Sequence, residues 1–600
     1  MKKILFILGF VSLLVAGCSD FFDTAPSNKI PTTMAFRTVT DVDNAVNGLY
    51  DLMSGSGYYG AAMFAYGDMK GDDMQSSEES GVCNTCYMFN HRPNSLNAGS
   101  LWGRPFYILR EAWNILNAIA EGKIESGDEK KLNALKGETM AVIALCQFDL
   151  TRCFGYPYTK DKGASLGAPL IDHLVGTYEN PPRSTVAQAY DFIIETLEEA
   201  VTLMSEEKNN GRMNKYAARA LLARIYLYHD DNRKAFDLAD QLIKDADTSG
   251  SYALYPHEKY VAAWSVEAKF GSESFFEIAN SVDDTPGRDS WGYLLNWYGY
   301  QKGFVTQKYA EQMLADPGDV RGQLLEENKY AGKTVWWLYK LRGTDLKTAP
   351  LECNNVVLRL SEVYLIAAEA GCKLGGDAAV QGLGYLNEIV KRGNPDNEVT
   401  MADYTLDRVL DERSKELVGE GHRFFDLLRN GKTIVRKGGY HLPSVDGVGV
   451  LVAGGVDHVV AEGAVGDDGI IVGVLRDGVG DLGLPAHLFG RGDHGVVAGR
   501  APAAVVDAGV ADHGDLIGRA VSLGGSGGLF RDNGFIGRVG RLGGVSRFGG
   551  GVGRVGLAGV VRRSRGVGLR STGTRRQRQE HDKRQKHCND LFHFLSSIEY

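Results

Sequence analysis

Two similar stretches of Ala-rich sequence constrain the fold more than anything else in the chain. Residues 215–228, KYAARALLARIYLY, carry small residues at helix-contact spacing. They are followed by the turn His229-Asp230-Asp231-Asn232 and by residues 233–243, RKAFDLADQLI, with Ala235 and Ala239 four apart. Small residues on one helix face let a second helix approach closely, and a helix–turn–helix of about 34 residues is the length of a tetratricopeptide repeat. A second unit starts at Leu358, LRLSEVYLIAAEAGCKLGGDAAVQGLGYLNEIVKR, with Ala367, Ala368 and Ala370 as small contacts and Gly375-Gly376-Asp377 as its turn. The units lie about 145 residues apart, so the sequence predicts a non-contiguous helical array with further helical pairs between them. Other helices are predicted over 40–55, 104–122, 128–154 and 184–205, the last opened by the N-cap candidates Ser184 and Thr185. In 104–122, Phe106, Leu109, Trp113, Leu116 and Ile119 share one face. The predicted class is mostly α: a tetratricopeptide-like helical-repeat scaffold. Loop-rich insertions, chiefly in the aromatic stretch 250–350, form a ligand-binding face.

The two ends of the chain differ from this body. Residues 1–18, MKKILFILGFVSLLVAGC, have two lysines, an apolar run of about a dozen residues and small residues before a cysteine. The run is too short to span a bilayer. It resembles a lipobox, which predicts that residues 1–17 are removed and Cys18 carries the lipid anchor; an ordinary signal peptide with an incidental cysteine is the alternative. Either reading exports the body into an oxidising compartment. At the other end the residue usage changes abruptly. All seven Trp lie between Trp102 and Trp337, no Tyr occurs between Tyr440 and Tyr600, and 36 of the 76 Gly fall in the last 160 residues. Residues 446–600 form a Gly/Val/Arg-rich tail with neither a helical nor a strand repeat of useful length, which reads as a shifted reading frame or a disordered extension. The tail holds 19 Lys/Arg against 16 Asp/Glu, which leaves residues 1–440 with 47 against 59. A body this acidic argues against a nucleic-acid partner.

Within residues 18–445, eight segments in order resemble the SusD/RagB family of outer-membrane, nutrient-binding lipoproteins. They are Tyr58-Tyr59-Gly60 with Gly67-Asp68-Met69 and Gly71-Asp72-Asp73-Met74; GETMAVIALCQFDLTRCFGYPY at 137–158; LGAPLI at 166–171; PPRSTVAQAYDFIIETLEEA at 181–200; the first repeat unit; Asp319-Val320-Arg321; RLSEVYLIAAEA at 359–370; and DERSKELVGEGHRFFDLLRNGK at 411–432. After Phe424-Phe425-Asp426-Leu427 the family's usual ending is missing and the Gly/Val text takes its place. The resemblance implies binding rather than catalysis. Such proteins capture oligosaccharide at the cell surface and pair with a SusC-like TonB-dependent outer-membrane barrel. It also implies an outer-membrane location facing the exterior, with Asp20 and Asp23 as an export signal. The alternative function is a helical-repeat lipoprotein that binds a peptide or protein; the third is a surface glycoside hydrolase.

A neutral glycan offers apolar C–H faces and a rim of hydroxyls, so its site needs exposed aromatic platforms with polar edges. Two Gly- and Asn-punctuated segments qualify. One contributes Trp291, Tyr293, Trp297 and Tyr298, with Tyr300 beside them; the other contributes Tyr87, Phe89, Asn90, His91 and Arg92. Trp336-Trp337, in the strand-like TVWWLYK, reads as packing. Cys83-x-x-Cys86 with only His91 nearby lacks the ligands for zinc and reads as a disulfide or two spare thiols. No cofactor and no catalytic residue are expected. The acidic pairs Asp72-Asp73 and Asp411-Glu412 do not make a glycosidase pair on sequence evidence. Glu412, Arg413, Glu416, Glu420, Arg423 and Asp426 are expected to form helix-surface ion pairs worth tenths of a kcal/mol each.

Overall fold

The computed structural model describes residues 36–436 apart from 78–80, 92–95, 126, 266–267, 282 and 342–351, together with four strand segments between 449 and 500. Cys18, residues 1–17 and residues 509–600 lie outside the described residues.

The N-terminal half is helical: α1 (Val39–Ser54), α2 (Ala62–Met69), β1 (Met74–Ser76), α3 (Val82–Tyr87), α4 (Leu96–Ala120) and α5 (Glu129–Phe154), then the hairpin β2 (Leu166–Pro169) and β3 (Arg183–Thr185). There follow α6 (Val186–Leu203), α7 (Lys215–Tyr228) and α8 (Asn232–Ser249). The middle is mixed: β4 (Ser274–Ile278), α9 (Trp291–Leu295), β5 (Gly303–Val305), α10 (Gln307–Leu314), β6 (Leu325–Tyr330), β7 (Lys333–Leu338) and β8 (Asn355–Arg359). The last part of the body is helical again, with α11 (Leu360–Leu374), α12 (Gly376–Gly393), α13 (Leu406–Leu417) and α14 (Arg423–Arg429), closed by β9 (Ile434–Val435). Among the described residues no helix is long and apolar enough to cross a membrane.

Local sequence explains the helix starts. Thr185 caps α6 and exchanges hydrogen bonds with Gln188 in a capping box, as Thr38 does with Asp41 in α1. Asp128 caps α5, and Asn214 caps α7. The array runs α4–α5–α6–α7–α8–α11–α12, each helix packed on the next. Thus α8 meets α11 directly, and the two Ala-rich units are neighbours in space. Strands, short 3₁₀ turns and short helices fill the sequence between them, instead of the helical pairs expected there. The insertion leaves the scaffold after α8 and returns to it through β8, which pairs antiparallel with β4. α11 and α12 approach closely: a Cβ on Gly371 would lie 2.5 Å from the Ala378 carbonyl oxygen and 3.1 Å from the Gly382 Cα. The turn between these helices needs two left-handed residues, Gly375 (φ 73°) and Gly376 (φ 57°).

One apolar core runs through most of the body and a smaller one lies among α11, α12 and α13. The body also holds a buried ionic core. Arg359 reaches Glu273 at 2.9 Å, Glu416 at 2.7 Å and Glu420 at 2.7 Å. Arg321 binds Asp319 at 2.7 Å and Glu412 at 2.6 Å, while Arg392 binds Glu273 at 2.8 Å. A second cluster joins Arg413 and Arg429 to Asp426, both at 2.8 Å, and Arg429 to Glu369. Here the surface ion pairs expected from the sequence are corrected: Glu412, Arg413, Glu416 and Asp426 are all at most 2 % exposed. Burial alone raises the Glu416 pKa, but Arg392, Arg359 and Arg321 outweigh it and hold the carboxyl below the usual range. Buried pairs of this kind are worth little against an apolar replacement, yet breaking one strands a charge in low dielectric.

The N-terminal segment 68–74 is held by the end of the body. Asp68 accepts from the Gly421 N–H at 2.8 Å, Asp72 pairs with Arg423 at 2.6 Å, and Asp73 accepts from Ser414 at 2.8 Å. The Arg436 guanidinium donates to the carbonyls of Met69 (2.9 Å), Gly71 (3.1 Å) and Tyr87. Beyond it, four Val-rich segments of the tail are described. Gly449–Val452, His458–Glu462, Ile470–Arg476 and His494–Arg500 are strands β10–β13, antiparallel in the order β13-β12-β11-β10-β9.

Candidate functional site

The four-stranded sheet β1-β5-β7-β6 carries the aromatic segment. β6 and β7 form a hairpin in register Leu325↔Leu338 to Tyr330↔Lys333, turned by Ala331 (φ 48°) and Gly332 (φ 81°). Two positive φ values in a two-residue loop match the right-handed strand twist. β5 pairs with β1 through Met74↔Val305 and with β7 through Val305↔Trp336. Upstream of β5, Ser290 caps the short helix α9, and residues 296–302 fold back on it. Tyr298 N–H donates to Asn296 Oδ1 at 2.8 Å, Tyr300 N–H to the Tyr293 carbonyl at 3.0 Å, and Lys302 N–H to the Leu294 carbonyl at 2.7 Å. Gly299 is required at the apex, since a Cβ there would sit 2.2 Å from the Tyr293 carbonyl oxygen.

This loop presents four rings. Tyr298 is 51 % exposed and Tyr300 42 %, and Tyr293 and Trp297 are half-buried. Tyr293 and Tyr300 meet edge-on with centroids 5.0 Å apart. Trp297 leans on Phe304 (6.3 Å) and Trp337 (6.4 Å), and Tyr298 stands edge-on to Trp337 at 6.2 Å. Phe304 and Trp337 are themselves buried. The exposed rings therefore rest on a rigid floor, with Gln301 donating its side-chain amide to the Trp297 carbonyl.

Trp291 is the correction in this segment. It is fully buried, stacked on Phe64 at 6.4 Å, and its indole N–H donates to the Gly419 carbonyl at 2.8 Å. It anchors the loop and has no open face for a ligand.

The second predicted segment is placed differently. Tyr87 is 1 % exposed beneath the Arg436 guanidinium, 4.1 Å from the ring centroid, so it too is corrected to a packing residue. Phe89 is half-buried against Phe424 at 6.1 Å. Together with Tyr66 these rings enclose the Lys70 ammonium, 3.9 Å from Tyr66, 4.2 Å from Phe424 and 5.2 Å from Phe89. His91 is half-buried with its ring 5.4 Å from Tyr66, Asn90 is half-buried, and Arg92 lies outside the described residues. The segment containing α3 and the ring loop share a neighbour, β1, which packs on α3 and pairs with β5.

Two further aromatic residues of the β6–β7 hairpin were read as packing or not singled out, and only Tyr330 lies on the ring-cluster face of the sheet. Trp336 is half-buried and donates its indole N–H to Gln307 at 3.0 Å, and Tyr330 is half-buried against Phe304 at 5.4 Å. The signal was present in the alternation of β7: adjacent strand residues face opposite sides, so Trp336 and Trp337 belong to different faces of the sheet. Cys83 and Cys86 are both buried thiols, not a disulfide, and burial pushes the Cys86 thiol up to about 12. The acidic pairs are engaged in structure: Asp72 and Asp73 face Arg423, and Glu412 faces Arg321.

Comparison with known proteins places this geometry. Residues 203–449 match the SusD family, and residues 20–227 match the family described as starch-binding and associating with the outer membrane. A crystal structure of a SusD superfamily protein from Bacteroides thetaiotaomicron is 37 % identical, with a TM-score of 0.63 over 68 % of this chain and 92 % of that one. The SusD-like protein P2 of Formosa agariphila is 28 % identical over 475 residues, 72 % of this chain and 91 % of its own length. Surface glycan-binding protein A of Bacteroides thetaiotaomicron, solved in complex with laminarihexaose, shares the fold at 19 % identity. Its TM-score is 0.53, over 66 % of this chain and 91 % of that one.

Proposed function

The chain belongs to the SusD family, and from that membership we propose that it is a glycan-binding protein of the cell surface. It captures oligosaccharides and delivers them to a TonB-dependent outer-membrane transporter, tethered through lipid on Cys18. The observation that carries the glycan reading is the ring cluster of Tyr293, Trp297, Tyr298 and Tyr300, solvent-facing yet fixed on buried Phe304 and Trp337. Sugar C–H faces dock on such rings, and rings already held in place lose little freedom on binding. Gln301 gives the platform a polar edge, and Asn90 and His91 are proposed as contributors from the neighbouring segment. The match of residues 20–227 to a family associated with the outer membrane supports the location. The tether is supported by the small residues before Cys18.

Calorimetric titration of the full-length chain with a panel of neutral oligosaccharides tests the binding. At least one glycan should bind, and Trp297→Ala and Tyr298→Ala should weaken it while the fold persists. Capture of a peptide with no glycan bound would replace this reading with the peptide-binding one. Palmitate labelling of Cys18 and co-purification of an outer-membrane barrel test the tether and the transporter.

A further inference from the structure

A cleft of about 360 Å³ opens on another part of the body, between α1, α5 and the loop from α6 to α7, and it shares no residue with the ring cluster. That volume falls in the range of roughly 300–1,000 Å³ typical of small-molecule sites. Its floor is aliphatic: Leu135, Met204 and Met213. Its wall is polar and already fixed. Arg212 donates to Glu138 at 2.6 and 2.8 Å, to Asp43 at 2.7 Å and to Asn47 at 3.1 Å. Tyr50 donates to Glu138 at 2.7 Å from behind, and Lys131 reaches Asp43 at 2.8 Å.

We infer that this cleft is a second binding site, for a small neutral polyhydroxylated ligand of one or two sugar rings. The charges lining it balance, Lys131, Lys208 and Arg212 against Asp43, Glu138 and Glu207, so it holds no net attraction for an ion. The carboxylates have acceptor capacity left. Glu138 Oε2 takes one bond from Arg212, and each Asp43 oxygen takes one, whereas a carboxylate oxygen accepts two. Hydroxyls fill such positions without needing charge. Asn209 at the exposed mouth offers a donor and an acceptor, and because Leu135, Met204 and Met213 are nearly buried and no ring of the described residues lines the cleft, recognition there rests on the polar wall. The site does not depend on the ring cluster.

Saturation-transfer NMR on the full-length chain with glucose, galactose, mannose, N-acetylglucosamine and maltose tests it. Asn209→Trp and Glu207→Trp, both at the exposed mouth, fill the cleft without touching the Arg212 contacts. One of these sugars should give a signal that falls about tenfold in both Trp variants and survives Tyr298→Ala. The inference is overturned if none of the sugars gives a signal, if the mouth variants leave it unchanged, or if it disappears in Tyr298→Ala alone. Failure of the ring cluster reads differently: longer oligosaccharides would then bind equally well to the parent and to Tyr298→Ala.

Discussion

The ring cluster at residues 293–300 and the ionic core around Arg359 invert each other. One places large apolar rings in solvent, and the other places full charges where solvent is excluded. Each is tolerable for a different reason. An exposed ring forgoes burial, which leaves it available to a partner. A buried guanidinium loses hydration, so it must find several carboxylates at once. Arg359 finds three, from the residue just before β4 and from the end of α13 onward. Residue type alone therefore assigns neither region its role; the supply of partners does.

The comparison breaks most visibly at Arg359. Arg359→Ala leaves Glu273, Glu416 and Glu420 facing one another, and the expected cost is about 3–5 kcal/mol, read by urea denaturation. A loss under about 1 kcal/mol would mean that the network is decorative. Trp291→Ala should cost a similar amount, about 3–5 kcal/mol, because it empties a packed site. Trp297→Ala, six residues on, should leave the melting temperature nearly unchanged and weaken glycan binding by about tenfold, close to 1.4 kcal/mol. Equal loss of stability in both variants would erase the distinction between anchor and platform.

A pH dependence sharpens the ionic side. Burial lifts the Asp68 carboxyl from 3.8 to about 7, against the lowering effect of the Gly421 N–H. The folded state thus keeps a proton that the unfolded chain has already released. The penalty begins above pH 3.8 and is complete above about 7. Asp68→Asn, which keeps an acceptor for Gly421, should raise the melting temperature most at pH 8 and hardly at all at pH 4. Glu416 acts with the opposite sign: its depressed pKa stabilises above the ordinary carboxylate range and is lost on acidification. Melting curves from pH 3 to 9 separate the two. The smallest effect belongs to the surface: Lys136→Ala, which breaks an exposed pair with Glu199 at 3.0 Å, should change stability by less than about 0.5 kcal/mol.

Much of the helical frame was legible because its causes are local. The Thr185–Gln188 box, the Asp128 cap, the Ala spacing of α7 and α8, and the glycine turn at 375–376 all act within a few residues. The ionic core was not legible, since helix periodicity shows which residues share a face but not what that face meets. Arg359 and Glu416 are 57 positions apart, and Arg321 and Glu416 are 95 apart. The rings divide in the same way. Trp291 and Trp297 occupy one Gly-punctuated segment, and only the approach of Phe64 and Gly419 from distant parts of the chain makes the first an anchor.

The clasp between residues 68–74 and the end of the body also sets an order of events. Asp68 and Gly421, Asp72 and Arg423, and Gly71 and Arg436 are separated by 353, 351 and 365 positions. A segment made early in synthesis therefore waits for one made some 350 residues later, and closing so long a loop is slow. Until Gly421 and Arg423 emerge, Asp68 and Asp72 lack the partners they have in the folded body. The clasp is therefore expected to close last, and a chain halted before residue 436 is expected to leave segment 68–74 open and the intermediate prone to aggregate.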